Sequence, residues 1–309
     1  MPNRIKQHGA AIIVALFVTS LVAIAAIAML ERLRINLRST ELITHNLQAN
    51  LLARGSLAWA MEQLNTDWRQ KKPNQPIDLT PIQSPTNQLE NASVSSIIFD
   101  AQGRFNINNL SSPSAQDDFI RLIIAAYPKM GAASAREIAL AITNWISAGT
   151  INNVLDNYYA KAMPPYRAPH RLMVSVSELR LVKGVTAELY AALSPYVTAL
   201  PEVTPININN AAIPVLMSLS PTLTLAAAKT IAAKAKQAPF PTTQSFQQFD
   251  VVKNNPVPEN KITINSSYFL VKASVKVSQQ EATLYTLLQR TVKEEKPTEV
   301  VIWQSKGTL

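Results

Sequence analysis

The sequence predicts an α+β protein in which a long N-terminal helix packs on an antiparallel sheet and a large α-helical domain is inserted. Three observations predict this fold class. The first is an uncharged apolar run at residues 10–30, after which no proline occurs until Pro73. The second is an alternation of side-chain character near the end of the chain, which is typical of strands. The third is a helical spacing of apolar residues within 113–250.

The run from Ala10 to Leu30 has the length of a membrane span. Its 21 residues carry no charge, and Thr19 and Ser20 are its only polar side chains. At about 1.5 Å per residue, a helix of this length covers roughly 30 Å, the thickness of a bilayer's hydrocarbon core. A buried core helix is usually shorter and carries a polar stripe. We therefore expect residues 10–30 to form a transmembrane helix.

The helical pattern continues beyond the apolar run. One face repeats at helical spacing, and we expect a single N-terminal helix over 10–72. A helix from Ala10 to Trp68 would be roughly 88 Å long. The apolar stripe is thinnest at 40–48, which is the place where the pattern permits a break. The residues of the second apolar face are Leu57, Met61, Leu64 and Trp68.

The predicted β portion comprises residues 73–112 and 251–309. Prolines at 71–85 indicate a linker. The apolar, β-branched stretch 94–99, the turn residues 100–103 and the stretch 104–107 together predict a hairpin. At the end of the chain, 268–277 and 282–292 predict two antiparallel strands, and a last strand is expected at 300–303, with Pro297 in the turn before it.

Residues 113–250 are predicted to form the inserted helical domain, in which Ser175 and Glu178 have capping-box spacing and Gly184 can end that helix. The sequence Asn-Ile-Asn-Asn occurs at 106–109 and again at 207–210, each time between an extended stretch and a helix. We expect these asparagines to cap backbone N–H groups. The residues of the two apolar helical faces are Phe119, Leu122, Ile123, Ala126, Ile138, Ala141, Ile142 and Trp145.

Composition argues against an enzyme. The chain has no cysteine and three histidines, His8, His45 and His170, which lie far apart in the sequence. The motifs HExxH, GxSxG and GxxxxGK do not occur in it. The net charge of +9 comes from basic residues that are spread along the chain, so nucleic-acid binding is not indicated.

The N-terminus resembles a type IV prepilin-like leader. Residues 1–9 are short and basic and end in Gly9, directly before the apolar run. A secretory signal peptide would instead place its apolar region before the cleavage site. The resemblance implies cleavage between Gly9 and Ala10 and methylation of the new Ala10 amine, both by a prepilin peptidase.

One departure from the usual prepilin pattern is specific. Most such proteins carry Glu at the fifth mature position, which is Val14 here. Together with the stretches 97–110, 164–184 and 206–219, this makes the chain similar to the K-type minor pseudopilins of the type II secretion system (general secretion pathway protein K). In that family the missing Glu suits a subunit at the tip of the filament.

The resemblance implies a function and a location. The fold would be a type IV pilin-like fold interrupted by a helical domain. The chain would cap or initiate the pseudopilus together with the I-, J- and H-type minor pseudopilins, for protein export across the outer membrane. It would be anchored once in the bacterial inner membrane, with most of the chain in the periplasm. No cofactor is implied, and we expect no binding of nucleic acid.

Calcium is left open. The resemblance implies a calcium site in the helical domain, built from an acidic loop. Here Asn144 and Ser147 stand where the family has Asp, and Asp156 and Asn157 match an acidic pair only in part. Calcium requires several oxygen ligands, so the loss of two carboxylates argues against a site.

Two alternative functions remain from the sequence. The first is a membrane-anchored helix–hairpin–helix protein of the competence type that binds DNA. Such hairpins bind phosphate through backbone amides at Gly-x-Gly, whereas this chain offers only Gly184 in one hairpin and Ser220-Pro221 in the other. The second is a signal-anchored scaffold that is not cleaved after Gly9.

Overall fold

The computed structural model describes residues 8–70, 81–148, 154–293 and 296–307. Its first element, α1 (His8–Arg69), is one helix of 62 residues. It continues without interruption through 40–48, where the sequence permitted a break. The long N-terminal helix is therefore confirmed, although it ends three residues before position 72.

The remaining elements are strands and shorter helices. The strands are β1 (Ile82–Gln83), β2 (Asn87–Leu89), β3 (Ala92–Asp100), β4 (Phe105–Asn106), β5 (Val197–Thr198), β6 (Ile206–Asn207), β7 (Ile262–Thr263), β8 (Tyr268–Val277), β9 (Gln280–Lys293) and β10 (Lys296–Lys306). The helices are α2 (Ser114–Ala126), α3 (Ala132–Ile146), α4 (Val154–Ala160), α5 (Ala187–Leu193), α6 (Ile213–Ser218), α7 (Leu225–Gln237), α8 (Thr243–Gln247) and α9 (Asp250–Lys253). Single 3₁₀ turns lie at Ile107–Ser111, Val176–Leu181, Ser194–Tyr196 and Glu259–Lys261.

The main sheet is antiparallel and has the strand order β1-β3-β8-β9-β10, with β2 also paired to β3. Its central pair is β3 and β8, which run alongside each other from Ala92 opposite Val277 to Asp100 opposite Phe269. The chain therefore leaves the sheet at the end of β3 and returns to the same point at the start of β8. The polypeptide between these two strands contains all the helices from α2 to α9.

The predicted hairpin at 94–107 is wrong. The chain does turn after Asp100, but β4 pairs in parallel with β5, with Phe105 opposite Val197, and not with β3. The edge of β3 that a hairpin would need is occupied by β8 over nine residue pairs. A long antiparallel ladder provides more hydrogen bonds than a short return strand could, so the distant strand is preferred.

Two smaller expectations also need correction. Part of the expected linker at 71–85 is a strand, because Ile82 and Gln83 pair with Ile98 and Ile97. The linker residues 71–80 lie outside the described residues. Pro297 is in strand β10, opposite Val292, and not in a turn. Since β10 ends the strand order, its outer side has no ladder to maintain and tolerates a proline.

The helical region between β3 and β8 has its own core. The predicted faces of α2 and α3 are buried in it, with Phe119 and Ile142 fully enclosed and Ala126 partly so. The capping residues that the sequence indicated are also observed in the structure. Ser175 and Glu178 form a capping box, although the segment that they cap is a 3₁₀ turn. Gly184 has a left-handed φ of 86° just after that turn.

The repeated asparagines fix two similar halves of this region. In each copy the first asparagine accepts a hydrogen bond from the N–H two residues later, Asn106 from Asn108 and Asn207 from Asn209, both at 3.1 Å. Asn108 then bonds to both backbone groups of Met173, and Asn209 does the same with Phe240. In each half, a short strand before the helices pairs in parallel with a short strand after them, β4 with β5 and β6 with β7. The asparagines therefore cap backbone groups, as expected, and also connect distant segments.

Gly103 is required where the chain leaves the sheet. A Cβ atom at this position would lie 2.8 Å from the carbonyl oxygen of Asn210. We predict that Gly103→Ala destabilises the full chain by about 1–3 kcal/mol, since the backbone would have to shift to relieve the overlap. Urea unfolding followed by circular dichroism measures this change.

Gly55 provides the matched control. Gly55 is inside α1, and apart from its chain neighbours and the adjacent backbone of that helix no described atom would lie within 4 Å of an added Cβ. Gly55→Ala should leave stability unchanged or raise it by about 0.5–1 kcal/mol, because alanine favours the helix. Equal destabilisation by the two substitutions would contradict the packing account of Gly103.

Candidate functional site

The first half of α1 presents apolar side chains to the outside of the molecule. Val14 is 60% exposed and Phe17 64%. Among the described residues, α1 is the one helix long and apolar enough to cross a membrane, and its apolar window is not covered by the rest of the chain. Thr19 and Ser20 donate their hydroxyl hydrogens to the carbonyl of Leu16, so their polarity is satisfied within the helix. This surface suits lipid or other apolar helices.

The predicted processing residues lie at the start of α1. Gly9 and Ala10 belong to its first turn, and leader residues 1–7 lie outside the described residues. Val14 follows Ala10 by four residues on a continuous helix, so the two positions share one face. Val14 therefore lies about one helical turn after Ala10, on the same side of α1.

The second half of α1 is fixed to the sheet by small residues. Ala49, Ala53 and Ala60 are at most 2% exposed, and they contact the faces of β3 and β8. Alanine has no bulk beyond Cβ, so the helix can approach the sheet closely. Leu64 is fully buried, as the sequence predicted, whereas Leu57 and Met61 are only partly covered. The alanine stripe was not singled out from the sequence.

Asp100 is the polar centre of the junction between the sheet and the helical region. It is 4% exposed, and its carboxylate accepts hydrogen bonds from Asn207, Asn210 and Ser266 at 2.6–2.8 Å. It also accepts one from the backbone N–H of Gln102. Four donors compensate for the loss of water around a buried charge. The second asparagine copy is thus tied directly to the end of β3.

A second buried carboxylate, Asp118, connects α2 to the end of the helical region. It forms ion pairs with Arg121 and with Lys261, the latter at 2.6 Å. Burial raises the pKa of Asp118, while the two cations lower it. Elsewhere at this junction, the hydroxyl of Tyr268 at the start of β8 donates to Glu202 at 2.6 Å, and burial together with that carboxylate raises the pKa of Tyr268. Both carboxylates, Asp118 and Glu202, are therefore used in contacts that connect distant segments of the chain.

Two of the residues that the family resemblance associates with calcium, Ser147 and Asp156, contact a histidine. His170 has a left-handed φ of 48°, and its Nε2 lies 3.0 Å from an oxygen of Asp156. Its Nδ1 lies 3.2 Å from the carbonyl oxygen of Ser147. The oxygen of the Asn144 side chain is buried without a hydrogen-bond partner among the described residues.

These groups do not fit calcium. A calcium site needs about six to eight oxygen ligands, and here an imidazole already binds Asp156 and the Ser147 carbonyl. The described residues contain no group of three or more His, Cys, Asp or Glu side chains able to hold a metal ion. Asn157 is exposed on α4, and residues 149–153 lie outside the described part of the chain.

Comparison with known proteins decides the family. The family model described as type II secretion system (T2SS), protein K matches residues 103–202. A type II secretion system protein K from Pseudomonas aeruginosa is 29% identical over 92% of this chain and 89% of its own length. The protein of the same name from Aeromonas hydrophila is 31% identical over 65% of this chain and 66% of its own length. The chain belongs to the type II secretion system protein K family.

A solved structure agrees at the level of fold. One chain in the crystal structure of the GspK–GspI–GspJ complex from the enterotoxigenic Escherichia coli type 2 secretion system is similar with a TM-score of 0.73. The likeness covers 87% of this chain and 99% of that chain, at 23% sequence identity. The pilin-like α+β fold with a helical insertion is therefore shown. Membership of the protein K family also supports a non-enzymatic role.

We predict that the full chain unfolds at the same temperature with about 1 mM Ca²⁺ as with a chelator, because an imidazole binds the candidate ligand oxygens. Differential scanning calorimetry measures the unfolding temperature, and isothermal titration measures binding. A dissociation constant below about 10⁻⁴ M would contradict this account.

A substitution of His170 provides a second, independent test, with stability measured by urea unfolding. His170→Ala should destabilise the chain by about 1–3 kcal/mol, since it leaves Asp156 and the Ser147 carbonyl without this partner. His45 on α1 is half-buried and makes no side-chain hydrogen bond or ion pair within the described part of the chain, so His45→Ala should change stability by less than about 0.5 kcal/mol.

Proposed function

We propose that this chain is a minor pseudopilin at the tip of the type II secretion pseudopilus, where it caps or initiates the filament for protein export across the outer membrane. One observation carries the proposal. Relatives called type II secretion system protein K match more than nine-tenths of the chain, and the apolar half of its long helix has no partner among the described residues. A structural subunit needs such a surface for assembly, whereas an enzyme would need a convergent catalytic site.

The proposed location follows from α1. The apolar half would anchor the chain once in the bacterial inner membrane, and the sheet and helical region would lie in the periplasm. Before assembly, a prepilin peptidase would cut between Gly9 and Ala10 and methylate the Ala10 amine. The exposed apolar surface supports the anchor, whereas the orientation and the processing rest on the leader pattern.

The proposed position at the tip rests on two features. Val14 offers no carboxylate on the face shared with Ala10, so this subunit would lack a counter-charge for the amino terminus of a neighbour. The helical region is also bulky and leaves the sheet at a single point. The protein K relative of known structure is in a complex with GspI and GspJ. We propose I- and J-type subunits as partners here, together with the H-type.

The processing step is directly testable. In a host with a prepilin peptidase, the membrane-extracted chain should lack residues 1–9 and carry one added methyl group. Gly9→Val should retain the full-length mass because the residue before the cleaved bond is no longer small, and Gln7→Ala should be processed normally. Intact-mass spectrometry distinguishes these forms, and a wild-type chain that begins at Met1 would contradict the proposal.

The capping role requires a variant that keeps the sheet. The N–H of Ala101 donates to the carbonyl of Tyr268, so residues 102–267 can be replaced by a two-residue Asn-Gly turn. Combined with Val14→Glu, this change should let the subunit enter the body of the pseudopilus, as detected by immunogold labelling. The same deletion with Val14→Leu should not. If labelling of the deletion variant that carries Val14→Glu stays at the tip, the bulk and the missing carboxylate do not determine position.

We expect no DNA binding, in contrast to the helix–hairpin–helix alternative. Gly184 does adopt a left-handed conformation, but the second hairpin carries Ser220 and Pro221, and proline has no N–H to donate to phosphate. A gel shift with the full chain at about 50 mM salt should therefore be negative.

A further inference from the structure

Arg104 is largely buried, and its guanidinium has no polar partner among the described residues. It lies after the end of β3, with its guanidinium 5.9 Å from the centre of the Phe99 ring. Burial lowers the pKa of Arg104, and the charge of Asp100 opposes that effect. However, Asp100 accepts its hydrogen bonds from other groups, and within the described ranges the guanidinium makes no hydrogen bond or ion pair.

An apolar row extends from Arg104 across the sheet. Phe99 is paired with Leu270, Leu270 with Leu287, and Leu287 with Trp303. Directly paired residues on neighbouring strands point to the same face, so these four side chains form one line. With strands about 4.8 Å apart, the row is roughly 14 Å long. It lies on the face opposite α1, since the neighbouring residues Ile98, Val271 and Leu288 pack against the helix.

A cavity of about 440 Å³ separates this row from the helical region. Arg104, Leu270 and Trp303 line it on the sheet side, and Tyr190, Pro195 and Val197 line it on the other side. Its volume is within the range of small-molecule sites. No carboxylate is among its described lining residues. The cavity therefore combines largely apolar walls, which also carry Ser, Thr and Tyr hydroxyls, with one cation and no carboxylate among the described lining residues.

We propose that this cavity binds a carboxylate carried on an apolar body, with Arg104 as the anchor. A guanidinium offers five N–H donors in a planar fork that matches a carboxylate with two parallel hydrogen bonds. The ligand's apolar part would cover Leu270 and Leu287, which lie beside the anchor. Two sources share this chemistry, the C-terminal carboxylate of a peptide and a small aliphatic acid. The proposal is independent of the position of the subunit in a filament.

Isothermal titration of the full chain in lipid nanodiscs tests the proposal, with empty nanodiscs as the blank. N-acetyl-L-leucine should bind with a dissociation constant below about 1 mM and at least tenfold more tightly than its amide, because the amide lacks the charge. Tighter binding of N-acetyl-leucine than of hexanoate would identify a peptide terminus as the source, and the reverse order an aliphatic acid. Equal binding of acid and amide, or no heat at about 10 mM, would overturn the proposal.

Variants locate the site. Arg104→Gln should weaken binding of N-acetyl-leucine at least tenfold, and Arg104→Lys less so because it keeps the charge. Arg136→Gln is the matched control, since Arg136 is an exposed arginine whose ion pair to Asp117 is 3.8 Å long, and it should bind normally. Val174→Trp fills the rim of the cavity from an exposed position without altering Arg104 and should also abolish binding. Unchanged affinity in both Arg104→Gln and Val174→Trp would place the ligand elsewhere.

Discussion

The pairing of β3 with β8 is the constraint on which the rest of the structure depends. These strands are neighbours along their whole length, yet the helical region lies between them in sequence. Both ends of that region must therefore meet at one place on the sheet. The buried carboxylate of Asp100 marks this place, because it binds Ser266 just before β8 and two asparagines of the helical region. A large insertion is thus tolerated without disturbing the ladder.

The same constraint divides the sheet into two surfaces with different roles. One face carries α1, held by a stripe of alanines that permits close approach. The opposite face carries the row from Phe99 to Trp303 and faces the helical region across a cavity. Consequently the chain has a helix with an exposed apolar half on one side of the sheet and a cavity on the other. Membership of the protein K family supports the proposal that α1 acts in assembly. The largely buried guanidinium of Arg104 supports the proposal that the cavity binds a carboxylate.

His170 cross-links the two ends of the segment that follows α3. A cation would hold the two ends of the segment after α3 by attracting oxygens from each. The imidazole contacts the same two elements, the Ser147 carbonyl and the Asp156 carboxylate, through its two nitrogens. Asn144 and Ser147 are neutral, so the carboxylates that a divalent cation would require are fewer here.

The sequence alone predicted many of the features that depend on local pattern. It predicted the long helix, the apolar faces of α2 and α3, strands β8 and β9, the capping box at Ser175 and the left-handed Gly184, because periodicity and capping are properties of adjacent residues. Which segments contact each other depends on the tertiary fold. It paired β4 with β5 and not with β3, brought His170 to Asp156, and left Arg104 facing an apolar cavity. Periodicity reports that a face will be buried but carries no information about its partner. That choice depends on competition among distant segments for the same hydrogen bonds and the same space.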